Sequence, residues 1–160
     1  MTDEPAVRSE ATGSGLDRWF AHVVNTPAKL RWYTWGLPGL VTVIAAFARL
    51  WALGDPHSLV FDETFYVKDS WTLLHKGWEA AWPPNIDDAF ANGDVNSFTH
   101  DPEFVAHPPF GKWLIAVGLS VLGAQNSVGW RISTAVIGIL AVVLLMLIAN
   151  RMFQIGRAHV

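Results

Sequence analysis

Residues 32–53 read WYTWGLPGLVTVIAAFARLWAL, an apolar run that contains a single charged residue, Arg49. As an α-helix the run is about 33 Å long, enough to cross the hydrocarbon core of a bilayer. Tryptophan stands near both ends, where its ring meets lipid and its N–H meets water. The run therefore predicts a first transmembrane helix, and Arg49 near its far end is expected to reach the outer headgroups.

Two further apolar segments lie in the C-terminal third of the chain. Residues 130–150 are long enough to span and end before Arg151, so they predict a second transmembrane helix. Residues 112–124 are shorter than the ~17–25 residues of a span, and we interpret them as a re-entrant or short membrane helix. If 112–124 crossed the bilayer instead, Arg131 would move to the inner side of the membrane.

The composition of the 160 residues is typical of a membrane protein. Hydrophobic residues make up 51% and charged residues 16%, against about 25% charged residues in soluble domains. The net charge of -3 provides no basic field, so no nucleic-acid partner is predicted. This chain contains no cysteine, which excludes a disulfide framework, a thiolate nucleophile and a cysteine-based metal site within it.

Positive residues precede the first apolar run and predict its orientation. Arg18, Lys29 and Arg31 favour a cytoplasmic N-terminus, because basic residues beside a span stay inside. Residues 1–30 are predicted to form a disordered cytoplasmic tail, and the loop 54–111 is predicted to be extracytoplasmic. We therefore expect a multi-pass protein of the plasma membrane, with membrane lipids as its neighbours.

The loop 54–111 is acidic, with ten carboxylates against two lysines. Within it, residues 63–78 place apolar side chains at helical spacing and predict an amphipathic helix lying in the membrane interface. Asp62 is positioned to N-cap that helix. The predicted apolar face comprises Phe65, Val67, Trp71, Leu74 and Trp78.

Asp62 and Glu63 are the candidate catalytic carboxylates, because they follow the first span closely, where a substrate with a lipid tail and a polar head would lie. Adjacent helical residues point about 100° apart, which argues against a glycosidase pair facing across a sugar. One carboxylate is enough to accept a hydroxyl proton when the donor is already activated. The plain alternative is that Asp62 only caps a helix.

A departing phosphate needs cations, and Arg131 and Lys112 are the candidates, since arginine binds phosphate as a fork and lysine as a point charge. The alternative for both residues is anchoring at the lipid headgroups. His107, which precedes two prolines, is a further candidate for substrate or phosphate binding. The spacing of His100, Asp101 and His107 fits no standard metal site, so no metal is predicted.

Residues 155–160 read IGRAHV and match one reading frame of a common sequencing adapter, so we interpret them as an artefact. A longer gene is therefore expected. Two spans and a loop make a poor independent enzyme, because each membrane helix needs partner helices.

Three segments resemble the N-terminal portion of protein O-mannosyltransferases, in particular the bacterial branch that uses polyprenol-phosphate-mannose. They are residues 61–71 (FDETFYVKDSW), 107–113 (HPPFGKW) and 130–132 (WRI). The resemblance covers residues 31–154 and depends on all three segments occurring in this order. Phe110 stands where the family motif is expected to have leucine, a mild departure.

The resemblance implies an all-α integral membrane fold, the N-terminal piece of a multi-spanning C-type glycosyltransferase. It implies mannose transfer from polyprenyl-phosphate-mannose to Ser or Thr hydroxyls of secreted proteins, with inversion and without a cofactor or divalent metal. Asp62 would be the general base and Glu63 its supporting acid. Arg131 would act near the lipid phosphate or in the integrity of the site, and the His107 stretch would have a less defined role. The family has many more spans than this chain, so the chain alone is expected to be inactive.

Two other interpretations stay open at this point. A sister enzyme would move a sugar from a lipid phosphate to a lipid or a glycan, and an acid in the first outer loop does not exclude it. A two-span membrane subunit without catalytic activity is the other alternative.

Overall fold

The computed structural model describes residues 14–152, and within this range the chain is helical and contains no β-strand. This confirms the all-α prediction. The helices are α1 (Gly15–Val23), α2 (Pro27–Arg31), α3 (Leu37–Leu50), α4 (Glu63–Lys76), α5 (Asp87–Ala91), α6 (Phe110–Leu122) and α7 (Ser127–Met152), with a π-helical turn (Trp32–Gly36) between α2 and α3. Residues 1–13 of the predicted tail and the adapter-like residues 155–160 lie outside the described range.

Two stretches of helix are long and apolar enough to cross a membrane. They are Pro27–Leu50, with 24 residues, and Ser127–Met152, with 26 residues. Their apolar side chains are largely exposed, as in Val43 and Leu144, which suits lipid contact better than the interior of a soluble protein. α6 has 13 residues, about 20 Å of helix, and its interpretation as a re-entrant element stays a prediction.

The chain divides into two compact units. One contains the described residues up to Leu40 together with those from Met146 onward, and the other is Val41–Leu145. In the first unit the Phe20 ring packs edge-on against the Tyr33 ring at 5.2 Å between centroids. Helix α1 lies inside the segment 1–30 that was predicted to be a disordered tail. Its residues Leu16, Trp19, Phe20 and Val23 recur at helical spacing, which favours a helix there.

The second unit has its core between α4, α6 and the start of α7. Its buried apolar residues form one cluster: Val67, Phe90, Ala91, Leu119, Ala124 and Trp130. α6 and α7 approach closely at two glycines, since a Cβ on Gly118 would clash with the carbonyl oxygen of Gly129. This contact sets the position of the first turn of α7, which carries Trp130 and Arg131.

The buried side of α4 differs from the predicted apolar face. Phe65 is 56% exposed, whereas Ser70 and Thr72 are fully buried. Trp71 turns inward and donates its indole N–H to the Val95 carbonyl at 2.7 Å. α6 and the loop after α4 cover the helix on the side that carries its small polar residues, and the position of the helix in the membrane interface stays a prediction.

The loop that follows α4 folds back onto the helix. Gly77 ends α4 in the left-handed region, with φ of 80°, and an isolated antiparallel bridge joins Ala80 to Pro102. The Ala80 N–H donates to the buried Thr72 hydroxyl at 3.2 Å. As a result Glu79 is buried in the loop and lies beside α6.

Candidate active site

Asp62 immediately precedes α4, but it does not cap the helix. Its side chain makes no capping hydrogen bond, so that prediction was wrong. Glu63 instead closes the turn before the helix, because its carboxylate accepts the Val60 N–H at 3.1 Å while its own N–H donates to the Val60 carbonyl. Phe61, between Val60 and Asp62, has a φ of 53°. This left-handed conformation is unusual for a bulky side chain and often accompanies functional sites.

Glu63 and Arg131 form a bidentate ion pair between α4 and α7, which we call the open pair. The Arg131 Nε donates to Glu63 Oε1 at 2.7 Å and Nη2 donates to Oε2 at 2.8 Å. Partial burial disfavours the charged carboxylate, but the hydrogen bonds from Arg131 and Val60 outweigh it and hold the pKa of Glu63 below its ordinary value. Glu63 is therefore a carboxylate with both oxygens occupied.

The remaining donors of Arg131 bind the chain that leaves the first span. Nη1 donates to the carbonyl oxygens of Leu53 and Pro56 at 3.1 and 3.0 Å, and Nη2 donates to that of Ser58 at 3.0 Å. A guanidinium has five N–H donors, and these bonds together with those to Glu63 use all five. Arg131 thus fixes the loop onto α7 and has no N–H left for a phosphate.

A cavity of about 460 Å³ opens beside the open pair. Its charged lining residues are Asp62, Glu63, Arg131 and Arg49. Its other lining residues are mostly apolar: Leu53, Val60, Phe61, Tyr66, Val67, Ile115, Trp130, Thr134 and Ala135. A polar end and an apolar wall suit a ligand with a charged head and a hydrocarbon tail.

Lys112 lies in a separate, sealed cluster with Asp69 and Glu79, which we call the sealed triad. Its Nζ is 2.9 Å from Asp69 Oδ2 and 2.6 Å from Glu79 Oε2. Burial raises the pKa of Asp69 despite the hydrogen bond from Lys112. The predicted phosphate contact of Lys112 gains no support from this geometry, because its ammonium is buried between two carboxylates.

His107 lines a second cavity of about 410 Å³, together with Lys112 and Tyr66. Its ring lies 5.8 Å from the Tyr66 ring. Tyr66, Ile115 and Thr134 line both cavities, so the two are neighbours. The fold therefore brings Asp62, Glu63 and Arg131 to one cavity and places His107 in the neighbouring cavity.

Sequence reasoning missed Tyr66 and Arg49 as lining residues of the candidate site. Tyr66 lies one helical turn after Asp62, a spacing that places both on one side of the helix start. Arg49 is the lone charge of the first apolar run, and that isolation was its signal. Within residues 14–152 no group of three or more His, Asp or Glu side chains is arranged to hold a metal ion.

Similar proteins are found among bacterial mannosyltransferases. A polyprenol-phosphate-mannose–protein mannosyltransferase of Mycolicibacterium smegmatis is 34% identical over 120 residues, 73% of this chain and 20% of that protein. The proteins of the same description from Mycobacterium tuberculosis and Corynebacterium glutamicum are 31% and 29% identical, over 75% and 95% of this chain and 20% and 28% of their own lengths. No family model matches the chain, and no solved structure matches it.

The chain spans about a fifth of the length of the first of these relatives. The resemblance stated from the three sequence segments is confirmed by these similarities, which extend over most of the chain. Together with the two apolar helices they indicate a membrane protein.

Proposed function

We propose that this chain, part of a protein of the O-mannosyltransferase family, carries the general base of a mannosyl transfer. The donor would be polyprenyl-phosphate-mannose and the acceptors Ser or Thr hydroxyls of secreted proteins. The names of the relatives support the donor and the protein acceptor. Asp62 in the cavity supports the location of the chemistry.

The reaction is a single displacement at the anomeric carbon of mannose. The acceptor hydroxyl oxygen forms the new bond to that carbon while the bond to the phosphate oxygen breaks. The phosphate leaves with the electron pair, the configuration inverts, and the hydroxyl proton passes to a carboxylate. No further cofactor is needed, because the phosphate is already a good leaving group.

Asp62 is the better base of the two acidic residues, and this is the observation that carries the proposal. Both oxygens of Glu63 are held by Arg131, and its pKa is lowered, which weakens it as a proton acceptor. Asp62 makes no capping bond and lines the cavity. Glu63 and Arg131 are therefore positioning residues that fix the turn on which Asp62 stands.

The orientation completes the proposal. A cytoplasmic N-terminus places the loop 54–111 outside the plasma membrane, where secreted acceptors and the sugar of the lipid donor meet. Because the chain has no cysteine, a single cysteine at the exposed Asn92 tests this directly. It should react with an impermeant thiol reagent added to intact cells; reaction only after lysis would reverse the orientation.

The activity test uses the complete reading frame that contains this chain, expressed in membrane vesicles and supplied with radiolabelled polyprenyl-phosphate-mannose. Asp62→Asn should lower the rate of transfer to a Ser/Thr-rich peptide by ~10²–10⁴-fold, the usual loss when a general base is removed. Asp88→Asn, at an exposed acid of the same loop, is the matched control and should retain activity.

Near-normal transfer by Asp62→Asn, with normal membrane insertion, would remove Asp62 from the role of base. The acceptor is tested in the same reactions. Label that enters lipid or glycan instead of the peptide would assign the chain to a sister transferase, and no transfer by the wild-type protein would favour a non-enzymatic subunit.

A further inference from the structure

We infer that Arg49, on the last turn of α3, binds the phosphate of the lipid-linked donor through its guanidinium. The inference rests on the proposed function and adds a residue that sequence reasoning had placed at the lipid headgroups. It depends on three observations: the path of the Arg49 side chain, the absence of an ion-pair partner for it among residues 14–152, and the saturation of Arg131 and Lys112.

The Arg49 side chain runs across α7 at Gly138. A Cβ on Gly138 would lie 2.5 Å from Arg49 Nε and 3.1 Å from Cδ, so the guanidinium stem passes directly over the glycine. Because Gly138 has no side chain, Arg49 lies against the backbone of α7 and lines the cavity that also contains Asp62. An arginine that only anchored the helix at the headgroups would not need a glycine at this position.

Arg49 has no ion-pair partner in the described part of the chain. The ion pairs of residues 14–152 involve Lys68, Lys112 and Arg131, and none involves Arg49. Arg49 is exposed on the last turn of α3, so its guanidinium is accessible to a ligand. An anionic ligand in the cavity would supply the missing partner.

The two cations that the sequence predicted as phosphate ligands are already saturated. All five N–H donors of Arg131 are bound to Glu63 and to three backbone carbonyl oxygens. The Lys112 ammonium is neutralised by Asp69 and Glu79. Arg49 is thus the cavity-lining cation with free donors among the described residues.

The charged groups of the cavity then serve two different parts of the reaction, proton acceptance and departure of the phosphate. Glu63 and Arg131 cancel each other, which leaves the carboxylate of Asp62 for the acceptor proton and the guanidinium of Arg49 for the phosphate. Negative charge grows on the phosphate as its bond to mannose breaks, and a planar fork of N–H donors stabilises two of its oxygens together. This would make Arg49 a catalytic residue rather than an anchor.

The test measures phosphate recognition separately from transfer, using the complete reading frame that contains this chain. The protein is placed in phosphatidylcholine nanodiscs with a diazirine-bearing polyprenyl phosphate, and photo-cross-linking is followed by mass spectrometry. Unlabelled polyprenyl phosphate and unlabelled polyprenol compete at equal mole fraction. The wild-type protein should prefer the phosphate over the alcohol by about tenfold or more, the gain typical of a charge-assisted contact.

Arg49→Gln should reduce this preference to about one, and Arg49→Lys should keep part of it, since it retains the charge but loses the fork. Gly138→Ala should weaken it too, because the added methyl group displaces the guanidinium stem. Arg31→Gln, at the opposite end of the same apolar helix, is the control and should leave the preference unchanged. Helix content by circular dichroism checks that each variant is folded.

A preference that survives in Arg49→Gln, or that is absent from the wild-type protein, would overturn the proposal. Phosphatidylglycerol added as a third competitor should not displace the probe; equal displacement would identify Arg49 as a headgroup anchor instead. If the preference behaves as expected but the complete protein transfers no mannose, only the proposed function fails.

Discussion

α4 carries two charged clusters that have similar composition and different surroundings. At its first turn Glu63 pairs with Arg131 of α7, and the two side chains are 27% and 14% exposed. In its middle Asp69 meets Lys112 of α6 and Glu79 of the loop, and the three side chains are 3–5% exposed. The open pair is partly exposed in its cavity, whereas the side chains of the sealed triad are almost fully buried.

The difference teaches that the surroundings of a cation, more than its type, decide what it does. The sealed triad joins α4, α6 and the loop after α4, so it stabilises the fold. The open pair holds a turn beside Asp62, so it fixes the position of that residue. Both occupy their cations fully, whereas Arg49 makes no ion pair among residues 14–152 and is the cation that we propose for the phosphate.

Breaking the sealed triad should have the largest effect on stability. Lys112→Met leaves Asp69 and Glu79 buried without a counter-charge, which typically costs ~3–5 kcal/mol. The measurement is the free energy of unfolding of the chain in detergent, followed by tryptophan fluorescence during titration with a denaturing detergent. The transition should move markedly toward lower denaturant.

The matched control for that variant is Lys68→Met on the same helix. Lys68 pairs with Asp87, whose side chain is 38% exposed, so its loss should cost no more than ~1 kcal/mol. Equal losses in the two lysine variants would mean that burial does not distinguish the clusters.

A methyl group at the α6–α7 contact should have an intermediate effect. Gly118→Ala forces a Cβ against the carbonyl oxygen of Gly129, and overpacking of this kind costs about 1–3 kcal/mol. Since α6 carries Lys112 and α7 carries Arg131, both clusters should loosen together. The same unfolding titration measures the loss.

Gly111→Ala in the same helix should change the free energy of unfolding in the opposite direction. A Cβ there meets no atom within 4 Å, so the higher helix propensity of alanine should stabilise α6 by up to about 1 kcal/mol. Two alanine variants with the same effect would argue against a close approach at Gly118.

The smallest effect should be a difference in titration between the clusters. The pKa of Glu63 is lowered, so the open pair contributes stability above the ordinary glutamate pKa and loses it as the pH falls through the lowered value. The pKa of Asp69 is raised, so its contribution to stability decreases as the pH rises through the raised value. Carbon NMR of labelled side-chain carboxyls should record the two midpoints on opposite sides of the ordinary values.

Arg131→Met sharpens that measurement. Without the guanidinium, burial is opposed only by the Val60 N–H, and the Glu63 midpoint should rise. An unchanged midpoint would show that Arg131 does not control the charge of Glu63.

The sequence by itself determined the helical class, the two long apolar helices and the family resemblance, because hydropathy and motif order are properties of neighbouring residues. It also singled out Asp62, Glu63 and Arg131, which the fold brings to one cavity. It did not predict which face of α4 is covered by protein, since that face depends on which elements pack against the helix.

Only the tertiary structure decided which partner each charge has. The bonds of Arg131 reach carbonyl oxygens of residues 53, 56 and 58, far away in the chain, and local spacing carries no information about such contacts. The same holds for Lys112 between its carboxylates and for Arg49 over Gly138. A charge acquires its role from the groups that desolvate and pair with it, and those groups meet only in the folded chain.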